Sequence, residues 1–459
     1  MANVRHYPMK LSRRQFLKLA GMAAATELFP WNWTEALAAG NEDYRALVCV
    51  FQFGGNDGNN MIVPYDLDSY AGYSSIRAAL ALPRNTLLQV SPPSQGGKSF
   101  GLHPALQNLL PLWQQGRMAV QCNVGTLVAP ITVAEYKNNR SLRPDSLFSH
   151  ADQQNQWQTA ESAQASRTGW GGRIADCLAG SAGIVNVPMV LSLAGTNAFG
   201  RGAATSSLSL PAAGSFGLRG PTSVTNSVAL QTLLTLDRGN RLVDALSGIA
   251  QTAISSSAVI NPVLTAPASA SMASFNGLTA NATSVATQLL AVAKLIEARQ
   301  TLGIKRQIFF VSQGGYDTHS NQLVDQNNLL SDLAAALAAI YAVTQALGVA
   351  DKVTTFTASD FARALRTSSG SGTDHAWGNH QIIIGDSVKG GDFYGKFPTL
   401  ALNGPDDVDG SGRWLPTTSV DQFAATLASW FGVAASDLSI VLPNLGRFDS
   451  SNLGFLMSN

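Results

Sequence analysis

Six short apolar runs, at 47–53, 118–122, 188–193, 307–312, 353–358 and 381–384, constrain the fold of this chain more than any other feature. Each has the length of a strand and is apolar almost throughout, the pattern of a strand buried on both faces. Helical patterns fall between them. One opens at His103-Pro104 and runs through Leu106, Leu109, Leu110 and Trp113. A long one spans 323–347, with Leu329, Leu333, Leu337 and Ile340 at helical spacing. A third begins with the capping box Ser419-Val420-Asp421-Gln422 and carries Phe423, Leu427 and Trp430. This alternation predicts an α/β fold: a mainly parallel central sheet sandwiched by helices. The stretch 194–281 breaks the rhythm, being rich in Ser, Ala, Thr, Gly and Asn with few charges. It is expected to be an insertion or cap over the sheet.

Ahead of the first strand, Ser12-Arg13-Arg14-Gln15-Phe16-Leu17-Lys18 reads as a twin-arginine export signal. It precedes an Ala-rich run at 19–29 and a small-residue cleavage site at Ala36-Leu37-Ala38. Residues 1–38 are therefore expected to be removed, leaving 39–459 as one folded domain in the periplasm or outside the cell. The translocase of that pathway is the partner this implies during export. Charged residues are only 13% of the chain and the formal net charge is +1, which excludes the basic stripe that nucleic acid demands. No other apolar run is expected to reach the roughly eighteen residues of a membrane span. The nearest, 333–347, is interrupted by Tyr341, Thr344 and Gln345. Cys49, Cys122 and Cys177 lack metal-binding spacing, and no essential disulfide is expected among them.

Acidic and imidazole side chains gather where the strands end. The first strand leads into Gly54-Gly55-Asn56-Asp57-Gly58, and 307–312 leads into Gly314-Gly315-Tyr316-Asp317-Thr318-His319. Asp360-Phe361 follows 353–358, and Asp374-His375-Ala376-Trp377-Gly378-Asn379-His380 precedes the strand at 381–384. Loops beyond the carboxyl ends of parallel strands share one rim, so distant residues can converge there. Imidazole with carboxylate is the donor set of zinc, manganese or iron. The doubled glycines are expected to turn the backbone so that Asp57 and Asp317 aim back over the strand ends.

Each position also has a plainer role. Asp57 suits a turn, Asp317 and Thr318 suit a helix cap, and Asp360 suits the cap of a short helix through Arg363 and Leu365. Trp377 and His380 suit packing, and His103 suits a structural role. In Phe148-Ser149-His150-Ala151-Asp152, Ser149 is either an ordinary N-cap or a nucleophile at a helix amino terminus.

The motifs LVCVFQFGGNDGNNMIVP, LFSHADQQ, TGWGGR, GYDTHSNQ, SDFAR, GTDHAWGNH and SVDQFAATLASWFGV, in this order, resemble the DUF1501 family. That family consists of exported bacterial proteins placed by similarity in the alkaline-phosphatase-like superfamily of metal-dependent phosphatases, sulfatases and phosphodiesterases. The resemblance implies an alkaline-phosphatase-like α/β domain whose metal ligands are Asp57, Asp317, His319, Asp360 and His375; His380, from its own loop, is a further candidate ligand. It implies Ser149 as nucleophile and one or two divalent ions, zinc or manganese. The implied substrate is a small-molecule or envelope-polymer ester of phosphate or sulfate. Phe361 stands where many superfamily members carry His, so His150 is the candidate to replace that ligand. No C/S-x-P/A-x-R motif marks a formylglycine sulfatase. The alternative is a non-catalytic envelope protein that keeps the fold to bind a metal or a partner.

Overall fold

The chain enters the middle of the main sheet as β1 (Arg45–Gln52). A small sheet follows, in which β2 (Ile62–Pro64) and β3 (Leu88–Val90) both pair antiparallel with β4 (Phe100–Leu102). The main sheet resumes with β5 (Met118–Gly125), β6 (Val190–Ser192), β7 (Leu208–Ser209), β8 (Arg306–Gln313) and β9 (Val353–Ser359). A hairpin of β10 (Arg363–Thr367) and β11 (Thr373–His375) precedes β12 (Asn379–Ile384), β13 (Phe393–Tyr394) and β14 (Thr418–Ser419). The order across the main sheet is β13-β5-β12-β9-β1-β8-β6-β7, with β14 beside β5. All six runs expected to be strands are strands. This computed structural model describes residues 44–181, 187–217, 229–230, 232–235, 240–281 and 284–457. The export signal and cleavage site at 1–38 lie outside the described residues.

Burial on both faces explains the apolar runs. Leu47, Cys49 and Phe51 join one cluster with Trp157, Trp170, Phe423 and Phe431. The alternate residues Val48 and Val50 are equally buried on the other face. Helices α1 (His150–Thr159), α2 (Trp170–Cys177) and α3 (Val420–Phe431) thus supply one layer of packing. The capping box of α3 forms as expected, Ser419 and Gln422 each accepting the other's backbone N–H. The three cysteines are free thiols, two of them buried in strands.

One strand runs against the rest. β12 is antiparallel to both β9 and β5, whereas β1, β6, β8 and β9 run parallel. The start of an antiparallel strand lies at the rim where its parallel neighbours end. The loop before β12 therefore shares a rim with the loops after β1, β8 and β9.

Three local expectations change. The helix from His103 is a 3-10 segment, Pro104–Leu109, followed by a short α-helix, Leu110–Gln114. Pro111 removes a helical N–H and breaks the run between them. The expected short helix after Asp360 is instead β10, drawn into a hairpin by pairing Arg363 with His375 and Thr367 with Thr373. The stretch 194–281 adds β7 at the edge of the sheet beyond β6 and a long helix, Arg241–Thr265. By length and composition, Arg241–Thr265 and Gln322–Ala346 are apolar enough to cross a membrane. Gln322–Ala346 buries Leu330, Leu333, Leu337 and Ile340 as a core helix.

Asp57 is held inside the fold. It caps the short helix Gly58–Met61 by accepting from Asn59 N at 3.1 Å, and its other oxygen takes Arg77 and Gln322. Arg77 is wholly buried and also bonds Asn60 at 2.9 Å and the carbonyls of Ala364 and Leu365. Removing one member of such a pair strands the other as an unpaired buried charge. Asp57→Ala is expected to cost about 3–5 kcal/mol, read as a lower urea midpoint, while metal stoichiometry stays unchanged.

Candidate metal centre

Three loops meet because glycines let them touch. A Cβ on Gly54 would lie 2.4 Å from Asp317 N, and one on Gly55 would lie 2.5 Å from the Phe361 ring. Both glycines have positive φ, 112° and 83°. Their role is close approach between the loops after β1, β8 and β9; they do not aim Asp57 at the rim. Gly54 N also donates to Asp360 Oδ2 at 3.2 Å, tying the first loop to the third.

Asp317 is the centre of this junction. Its Oδ1 accepts from Arg363 Nη1 at 2.7 Å and lies 2.9 Å from His319 Nε2 and 3.1 Å from His375 Nε2. Its Oδ2 lies 3.3 Å from His150 Nε2. Burial alone would raise this carboxyl's pKa, but the Arg363 hydrogen bond and charge, with His150 and His319, hold it down at about 2. It is therefore ionised at neutral pH. Arg363 is itself buried, fixed by Gly54 O at 3.2 Å and by Thr373.

The ring partners assign the imidazole tautomers. His375 Nδ1 lies 2.8 Å from Phe148 O, which can only accept, so Nδ1 carries a proton. His150 Nδ1 lies 2.7 Å from Asp360 Oδ2, which also accepts from Gln154 Nε2 at 2.8 Å. That carboxylate likewise calls for a proton on Nδ1. In both neutral rings Nε2 is then a lone pair, and both lone pairs face Asp317. His150 Nε2 is buried without a hydrogen-bond partner, as is Asp360 Oδ1. Electron-rich atoms that face one another in this partly exposed site are satisfied by extra protons, water or a cation between them. His150, Asp317 and His375 each offer a ligand atom within 4.8 Å of the others, a group able to hold a metal ion.

The two rings are tuned in opposite directions. The Asp360 hydrogen bond raises the His150 pKa against the effect of burial. Burial lowers that of His375, aided by the Arg363 charge. Phe361 closes the floor of the site, its ring centroid 4.7 Å from that of His375 and 4.8 Å from that of His150.

The structure thus brings together Asp317, His319, His375, His150 and Asp360. Within this group Asp360 orients His150. His319 lies at the exposed lip, with Nε2 3.0 Å from His375 Nε2 and Nδ1 3.8 Å from Asp374. Asp57 and His380 are not brought there. His380 is buried, accepts from Asn123 N at 3.3 Å and stacks on Phe397 with centroids 4.8 Å apart. Burial drives its pKa to about 3, as for a neutral core imidazole. Asp317 and Thr318 cap no helix, since the N-cap of Gln322–Ala346 is Asn321. Ser149 is the N-cap of α1 but makes no side-chain cap bond. It stands between Phe148, which receives His375, and His150 itself. Phe148 has φ +74°, a strained value for a non-glycine residue. Sequence reasoning missed Arg363, whose signal was an arginine three residues beyond Asp360 in a segment otherwise apolar. It also missed Gln154, one turn after His150.

These features define an α/β protein with a histidine and carboxylate cluster at the carboxyl rim of its sheet. The chain belongs to the family described as "Protein of unknown function (DUF1501)", whose model matches residues 44–438. No protein of curated function matches it. One similar solved structure is described as "Crystal structure of Ps i-CgsB in complex with k-i-k-neocarrahexaose". Its TM-score is 0.34 and its identity 6%, covering 89% of this chain and 75% of that one. At that level nothing about its ligand transfers.

His375→Ala, His150→Ala and Asp317→Asn are each expected to weaken divalent-metal binding by about 100-fold or more, measured by titration of metal-stripped protein. His380→Ala should leave the affinity within about twofold. Equal losses in all four would remove the cluster as the metal site.

Proposed function

We propose that this chain is an exported, metal-dependent hydrolase of phosphate or sulfate esters, built on an alkaline-phosphatase-like fold. The observation that carries the reading is the convergence of the His150 and His375 lone pairs on Asp317, beside Ser149 at the amino terminus of α1. The twin-arginine motif at 12–18 supports export to the periplasm or beyond, through the translocase of that pathway. The imidazole and carboxylate donors suit zinc, with manganese the second choice. One ion fits better than two, because the Phe361 ring occupies the flank of His150 and His375 where a further ligand would stand.

His150, His375 and Asp317 would hold the ion, with His319 at the open side and Asp360 fixing the His150 tautomer. The bound ion would lower the pKa of the Ser149 hydroxyl and neutralise charge on the group being transferred. Ser149 Oγ would give up its proton to solvent and form a bond to phosphorus or sulfur as the ester oxygen leaves on the opposite side and takes a proton from water. The exposed first-turn amides of α1 favour the negative charge that builds on the transferred group. Water hydrolyses the seryl ester in a second step and returns the serine.

The mature protein, assayed with aryl phosphate, phosphodiester and aryl sulfate after metal analysis, is expected to carry metal and turn over one ester class. Ser149→Ala should lower kcat by about 10³-fold or more with metal content intact. Metal without turnover of any ester would instead favour the non-catalytic envelope role.

Protons compete with the ion for Nε2 of His150, whose pKa is raised by Asp360. Metal affinity should therefore fall as pH falls through the imidazole range, by up to about tenfold per pH unit for each competing proton. Titrations at pH 5.5 and 7.5 check this. An affinity that does not vary with pH would exclude imidazole ligation.

A further inference from the structure

Beside the cluster, on the other side of Phe148, lies a cavity of about 320 Å³ lined by Tyr136, Arg140, Arg143, Asp145, Ser146 and Phe148. Its wall is the turn that carries Ser149. Ser149 N bonds back to Ser146 O at 3.0 Å, and Ser146 and Phe148 both adopt positive φ. Phe148 belongs to both places, since its carbonyl receives His375 while it lines the cavity.

The cavity carries a pre-set guanidinium. Arg143 donates from Nε to Tyr136 O at 2.6 Å and from Nη2 to Lys137 O at 3.2 Å, and its Cζ sits 4.3 Å from the centre of the Tyr136 ring. Nη1 has no hydrogen bond to any described residue. A planar fork already ordered by two carbonyls and a ring loses little entropy when it binds an oxyanion. Arg140 adds a second positive charge on the same wall, against one carboxylate, Asp145. From the cluster side, Arg413 lies over Phe148 with Cζ 4.7 Å from the ring centre, and it bonds His375 O at 2.6 Å. Arg413 is paired there with Asp409 at 2.5 Å, so the charge available to the cavity comes from Arg140 and Arg143.

We propose that this cavity is a subsite for a second anionic group on the substrate, a phosphate or sulfate beyond the ester group at Ser149. The assignment rests on the hydrolase reading only in placing the scissile ester at Ser149. The preferred substrates are then esters bearing two oxyanions rather than one.

Calorimetric titration of the mature, metal-loaded Ser149→Ala protein, which removes turnover, tests this. The probes are fructose 1,6-bisphosphate against fructose 6-phosphate, and glucose disulfate against glucose 6-sulfate. The two-anion member of either pair is expected to bind at least about tenfold tighter. Arg143→Gln should bring that ratio to within about twofold of one. Arg140→Gln, an exposed side chain whose loss leaves the turn intact, should lower it in the same direction. His375→Ala should weaken both members of a pair equally and keep the ratio. A ratio near one in the protein with both arginines intact, or a ratio untouched by both arginine variants, would overturn the proposal. A preserved two-anion preference in a protein that turns over no ester and holds no metal would support the subsite and remove the hydrolase reading.

Discussion

Arg363 lies wholly inside the protein with its Nη1 2.7 Å from Asp317 Oδ1, and the cluster is organised around that contact. A buried guanidinium needs a carboxylate within reach, and this one draws Asp317 to the sheet rim and keeps it ionised. The same arginine is fixed by Gly54 O and Thr373, so three loops are locked to one charge. Around the fixed carboxylate, His150 and His375 are each turned by a partner on Nδ1, Asp360 for one and Phe148 O for the other. Their other nitrogens then face Asp317, with His375 Nε2 also meeting His319 Nε2 at 3.0 Å. This ordering leaves His150, Asp317 and His375 as a group able to hold a metal ion.

Topology supplies the remaining constraint. His375 could not join residues following parallel strands if β12 also ran parallel, since the loop before it would then lie on the opposite rim. Its reversed direction, shown by pairing with both β5 and β9, brings that loop across. The hairpin of β10 and β11 then pairs Arg363 with His375 directly. The glycines at 54 and 55 finish the arrangement, allowing backbone to approach Asp317 and Phe361 at distances no side chain would permit.

The strands and most helices were legible because their signals are local. Six apolar runs became six strands, and Ser419 with Gln422 formed the capping box that their spacing announces. Of the site, the sequence showed Asp317, His319, Asp360, His375 and His150 near strand ends, which is enough to suggest convergence. It could not separate them from Asp57 and His380, which sit in equally promising loops. What distinguishes those two is a partner far away in the chain: Arg77 and Gln322 for Asp57, and Asn123 and Phe397 for His380. The same limit hid Arg363, which sequence alone placed in a short helix.

Periodicity and capping, carried by neighbours within a few residues, made the α/β class and the rim of chemistry readable from the amino acids by themselves. Tertiary structure alone decided which acids and imidazoles share space, which nitrogen of each ring is free, and that Phe361 walls the site. Those outcomes depend on strand direction and on contacts between residues hundreds of positions apart. No local pattern encodes them, since a carboxylate beside a turn looks the same whether it meets a buried arginine or a cation.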